Sequence, residues 1–275
     1  MRNRLARLFL VAAVTAIPWL GPTAPATAQQ LPASTADQAK PTAAKAIPRA
    51  PDGHPDLSGI WQAGGVSLYG ETGEVVPGSS GVSGPGGPRR EPAPYQPWAL
   101  EKVKELAADN RNDPAAHCFL PGLPRITTYP MPFEIVQTAK KTVFLYEAMH
   151  GFRIIPSDGR GHPPDLDPSF MGDSVAHWEG DTFVVDVTGF NEKTWLGPPG
   201  SFHSQELHLT ERYTRMADDT LRYEAIAEDP KVFTKPWKTV SVTLRHPPRD
   251  ERIMEYECIE GNIDLPHIQS GSRTP

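Results

Sequence analysis

His203, Glu206 and His208 form the densest set of acid–base and metal-binding side chains in the 275-residue sequence. If a strand begins at Gln205, Glu206 and His208 fall on one face of it, two residues apart. Thr210 and Arg212 then continue the row, and His203 folds over it from the preceding loop. Imidazole and carboxylate suit zinc or a comparable divalent ion, and three protein ligands leave one position open for water. Without metal the same set would serve as general acid and base, because histidine titrates near neutrality. The spacing matches neither H-E-x-x-H nor the cupin arrangement, and a polar row of this kind also fits a solvated strand face.

A second group lies in the segment Asp158 to Asp173. Its carboxylates suggest calcium, but the EF-hand template fails: with Asp165 first, the glycine position holds Phe170 and the twelfth place lacks glutamate. Asp158 and Arg160, with His162 beside them, would instead recognise an anionic group or brace a proline-stiffened loop. Arg125 is a further candidate for the mouth of a binding site. Trp195, in a segment of turn composition, would stack on a sugar or aromatic ligand or plug the end of a barrel. Ser204 has no spacing-defined base and no G-x-S-x-G elbow surrounds it. Neither G-x-G-x-x-G nor a P-loop occurs, so no nucleotide cofactor is expected.

These residues must be positioned by strands. Residues 133–138 and 142–147, 174–178 and 182–188, and 207–216 and 220–228 form three pairs of β-rich runs joined by short polar links, the signature of hairpins. Further strands are expected at 239–245, where Val240, Val242 and Leu244 alternate with Thr239, Ser241 and Thr243, and at 253–258. One helix precedes them, from about Pro97 to Asn110, with proline in its first turn and Ala99, Val103, Leu106 and Ala107 on one face. Consecutive hairpins without intervening helices predict an all-β fold: an antiparallel up-and-down barrel, with a β-sandwich as the alternative.

Composition sets the surroundings. Asp and Glu number 33 against 27 Lys and Arg, a net charge of −6, which offers no basic surplus for a nucleic-acid backbone. Arg2, Arg4 and Arg7, the apolar run 8–20 and Ala26-Thr27-Ala28 read as a secretory signal peptide cut before Gln29, leaving a chain of charge −9 with no transmembrane segment. A periplasmic or secreted location follows as the expectation. Cys118 and Cys258, the sole cysteines, would then form a disulfide in an oxidising compartment. Residues 29–50 have almost nothing to bury and read as a disordered linker, 51–262 as a single β-rich domain and 263–275 as a disordered tail. The Gly, Pro and Ser stretch 77–88 reads as a flexible surface loop.

Gly59-Ile60-Trp61 resembles the G-x-W on the first strand of lipocalin-type barrels. That resemblance implies an indole closing the barrel floor beside a basic residue of a late strand, for which Arg245 or Arg252 would serve. The blocks 52–61, 117–125, 178–190, 203–213 and 255–262 resemble a family of exported bacterial proteins without an assigned function. The resemblance implies export and a single domain, and brings no reaction with it. The expectation is an exported barrel that binds a small, partly apolar molecule within it. Two alternatives remain open: a hydrolase or lyase using His203, Glu206 and His208, and a surface-interaction protein without a pocket.

Overall fold

The computed structural model describes residues 46–63, 92–197, 199–247 and 251–259. The expected leader, the 77–88 loop and the 263–275 tail lie outside them. Nine strands carry the fold: β1 (Gly59–Ala63), β2 (Phe133–Gln137), β3 (Lys141–Tyr146), β4 (Phe152–Pro156), β5 (Asp173–Glu179), β6 (Thr182–Thr188), β7 (His208–Ala217), β8 (Thr220–Glu228) and β9 (Trp237–Arg245). A single α-helix, α1 (Pro97–Ala107), precedes β2. All pairings are antiparallel, in the order β4-β3-β2-β1-β9-β8-β7-β6-β5, an up-and-down sheet nearly closed into a barrel.

The seam falls between β4 and β5, which are consecutive in the chain. Arg153 of β4 spans it, donating to Ser174 Oγ of β5 at 2.9 Å and to Glu211 of β7 at 2.6 Å. Alternation sends Phe144 and Tyr146 of β3, Glu211 and Tyr213 of β7 and Tyr223 of β8 inward. The Tyr213 and Tyr223 hydroxyls both donate to Glu211 Oε1, at 3.1 and 2.7 Å, and their rings stack at 4.8 Å. This part of the interior is therefore packed with aromatic rings around one ion pair.

Two expectations about elements need correcting, and one strand lies where none was expected. The first is that residues 253–258 form no strand; they cross the outside and end in the Cys118–Cys258 disulfide, whose Cα atoms are 5.6 Å apart. That bond closes a 140-residue separation, worth about 4–5 kcal/mol in the chain-entropy model. Next, β9 does not alternate throughout: the register slips between Ala225 and Ile226, and Thr239 turns inward to bond the Ala225 carbonyl. A β-bulge inserts one residue and re-aims its side chain. Finally, β4 was not anticipated, because Phe152 and Ile154 face out while Arg153 faces in, the reverse of the usual hydropathy pattern.

The Gly59-Ile60-Trp61 motif does lie on the first strand, but its basic partner is neither Arg245 nor Arg252. Trp61 stacks on His246 at 3.9 Å, and the Arg215 guanidinium of β7 sits 5.1 Å from its ring. Gly59 has φ +125°, and a Cβ there would lie 2.9 Å from the His246 ring, so glycine admits that ring against β1. Pro48 and Arg49, expected within the linker, are tied to the fold. The Asp56 amide donates to the Pro48 carbonyl, and Arg49 pairs with Asp181 through two 2.9 Å bonds. No helix among the described residues is long and apolar enough to cross a membrane.

Candidate functional site

The cleft lies outside the barrel, where three segments distant in sequence meet. Helix α1 is anchored at its start by the 230s segment: the Gln96 amide donates to Val232 and the Thr234 amide to Pro94, each at 2.8 Å. The 192–204 loop folds on itself, with the Leu196 amide on the Ser201 carbonyl and the Gly197 amide on Ser201 Oγ, bringing Trp195 opposite Phe202. Gly200 then meets the helix backbone directly. A Cβ at this position, φ +79°, would stand 2.4 Å from the Val103 carbonyl, so only glycine allows the loop so close.

Between these segments is a cavity of about 600 Å³. Trp195, Phe202 and His203 form its buried floor, and Trp98, Lys102 and Lys231 its more exposed rim. Trp98 is 54% exposed, an unusual state for an indole on a folded surface. Its ring lies 5.8 Å from that of Phe202, and the Lys102 ammonium stands 4.7 Å above the same phenyl ring. Lys231 is held 2.8 Å from Glu206, and Glu192 adds one carboxylate to the lining.

The residues expected as one catalytic or metal set are engaged separately. A turn, not a strand, covers 204–207: the Ser204 hydroxyl donates to Asp229 at 2.8 Å and accepts from the Glu206 amide at 3.1 Å. That turn removes Glu206 from the His208 row and aims it at Lys231. His203 is 2% exposed. Its Nδ1–H donates to the Ser204 carbonyl at 2.9 Å, so Nε2 accepts the Thr194 hydroxyl at 2.7 Å. Burial pulls the His203 pKa down, although the Ser204 carbonyl opposes this, and the ring sits neutral on the cleft floor. Thr194 is 1% exposed, and its hydroxyl is taken up by His203. Among the described residues, no group of three or more His, Cys, Asp or Glu side chains is arranged to hold a metal ion.

His208 belongs instead to a chain of alternating carboxylates and imidazoles on the outer face of β5–β8. His162 Nδ1 is 2.5 Å from Asp173 and its Nε2 2.8 Å from Asp186. His208 Nε2 is 2.7 Å from the other Asp186 oxygen, and its Nδ1 3.4 Å from Glu228. Burial opposes the charge on both rings, but the flanking carboxylates outweigh it and raise both pKa values. Asp186 is itself lowered: burial works the other way, and the two imidazoles prevail.

Of the other expected ligand-binding residues, Trp195 alone lines the cleft. Arg125 is buried in a bidentate pair with Asp113, at 2.7 and 2.6 Å, fastening the 114–117 turn beside the cleft. Asp158 and Arg160 pair with each other in their own loop, and the guanidinium bond lowers the Asp158 pKa to about 2. The sequence reading missed Trp98, Lys102, Phe202 and Lys231. One signal was available, because Trp98 and Lys102 are four residues apart on α1 and off its buried Ala99–Val103 stripe. Comparison with known proteins by family model, curated sequence and solved structure finds no match, and the chemistry of the cleft is what points to a function.

Proposed function

We propose that the protein binds a small, partly apolar molecule carrying an anionic group, and that it does so in the cleft outside the barrel. The observation that carries this reading is the lining of the cleft: a 600 Å³ space, within the usual range of small-molecule sites, floored by two aromatic rings and rimmed by an exposed indole and two ammonium groups. An aromatic or alicyclic body would lie between Trp98, Trp195 and Phe202. Its acid group would meet Lys102, which has no carboxylate partner among the described residues. The neutral His203 ring and Ser204 at the floor offer polar contacts to the body of the molecule. An enzymatic reading finds less support, since His203, Glu206 and His208 serve different partners. A location outside the cytoplasm accords with the disulfide and with the sequence of the first 28 residues.

A naphthalene sulfonate, which joins a flat apolar body to one anion, is the probe. We expect it to quench tryptophan fluorescence on binding. Trp98→Ala and Lys102→Ala should each weaken it by about tenfold, about 1.4 kcal/mol. Both side chains project from the exposed part of α1, so parental melting is expected for both variants. Equal affinity for parent and variants would overturn the assignment of the cleft.

A further inference from the structure

We propose that His162 is the pin of a pH-sensitive clasp: as an imidazolium held between Asp173 and Asp186 it fastens the 157–172 segment to the outer face of the β5–β6 hairpin, and on losing its proton it lets the middle of that segment go. Both ring nitrogens face carboxylate oxygens, at 2.5 and 2.8 Å. Only the doubly protonated ring can donate to both. A neutral ring would direct one lone pair at a carboxylate, exchanging a charge-assisted hydrogen bond for repulsion.

The clasp matters because little else holds this part of the segment. Its ends are tied by backbone bonds, Ser157 to Lys140 and Ser169 to Gly189. Between them, among the described residues, every hydrogen bond from residues 158–168 to another element comes from His162. Asp158 and Arg160 bond only within the segment, and Leu166 adds an apolar contact against Gly189. The charged groups facing the ring are Asp173 from β5 and Asp186 from β6. Behind Asp186 stand His208 of β7 and Glu228 of β8. On its own segment the neighbouring charges are the Asp158–Arg160 pair, Asp165 and Asp167.

The sign follows from the direction of each shift. The raised His162 pKa means that the clasp is fully closed below the ordinary histidine value of about 6.5 and opens as pH rises through the raised value. The lowered Asp186 pKa sets the other edge: its contribution is present above the ordinary carboxylate value of about 3.9 and fails as pH falls through the lowered one. The clasp therefore holds best in mildly acidic to neutral solution.

Arg160, two residues from the pin and exposed, is a trypsin site inside the segment, and release of the segment from the sheet should speed cleavage there. Cleavage at Arg160 would be timed from pH 6 to pH 9 and divided by the rate for a free peptide of residues 155–170, which removes the pH dependence of the protease. The full-length protein should show a ratio rising about tenfold across this range. His162→Gln, which does not titrate and whose one amide nitrogen can stand in for only one of the two ring nitrogens, should show a high ratio that no longer changes with pH. Imidazole resonances followed by nuclear magnetic resonance should place the His162 midpoint above that of the same peptide. A constant ratio in the parent, a pH-dependent ratio persisting in His162→Gln, or a His162 midpoint at or below that of the peptide would each overturn the clasp.

Discussion

Strands β7 and β8 carry parts of two charged networks, one on each face, and the two behave in opposite ways. Inside, Arg153 and Glu211 are 2% and 0% exposed and are wrapped by Tyr146, Tyr213 and Tyr223. Outside, Asp173, His162, Asp186, His208 and Glu228 form a longer chain of charges with water at its edge. Burial presses against the Arg153 charge, but Glu211 and the tyrosines keep its pKa above the ordinary value. Burial also pushes the three phenols up, so they remain protonated donors throughout the physiological range. The interior network is thus fixed in one state. Histidine on the wet face titrates in the range where proteins work. On β7, inward Glu211 locks the barrel seam, while outward His208, three residues away, carries a charge whose pKa its carboxylate partners raise.

Breaking the inner network should have the largest effect. Glu211→Ala leaves a buried guanidinium without its counter-charge and two tyrosine hydroxyls without their acceptor. The expected loss is about 3–5 kcal/mol, read as a melting temperature lower by on the order of 10 °C. A smaller change sharpens the contrast: the double variant Arg153→Met, Glu211→Leu removes both charges together. Because the cost of burying them disappears as well, it should melt well above Glu211→Ala, and below the parent only by the two tyrosine hydroxyls that lose their acceptor. Chemical denaturation of the three proteins would rank them; a double variant as unstable as the single one would show that the pair contributes more than it costs to bury.

On the outer face, His208→Ala should cost less than about 1 kcal/mol, since the side chain is partly exposed and water screens its partners. That cost should also depend on pH. The His208 pKa is raised, so its contribution is present below about 6.5 and lost as pH rises through the higher folded-state value. The difference in melting between parent and variant should accordingly shrink from pH 6 to pH 9, whereas that between parent and Glu211→Ala should stay level. The smallest effect belongs to Arg160→Ala. Its pair with Asp158 is confined to an exposed loop, and unchanged melting is the expected result.

Much of the barrel was legible in the sequence because strand pairing leaves a local record. Alternation and short polar links marked β2 with β3, β5 with β6 and β7 with β8, and the register confirms each hairpin. The cysteine pairing was equally accessible, since two cysteines admit one intramolecular bond. Proline at the start of α1 and the Ala99–Val103 stripe gave the helix, which ends at Ala107, three residues before its expected limit. β4 escaped because its inward side chain is Arg153, whose burial makes sense only once Glu211 from a strand some 60 residues later stands opposite.

The sites were less accessible for the same reason at larger scale. By itself the sequence determined which side chains could do chemistry and, through local periodicity, most of the strands that carry them. Tertiary structure alone decided their company. His203 and His208 are five residues apart, yet the turn at 204–207 sends one to a neutral, buried wall and the other into a row of carboxylates, so their pKa values move in opposite directions. The cleft needs α1, the 192–204 loop and Lys231 in one place, and the Gly200 contact with α1 that joins them spans nearly a hundred residues. Periodicity is a property of neighbours along the chain, whereas a cavity, a counter-charge and a proton affinity are set by neighbours in space.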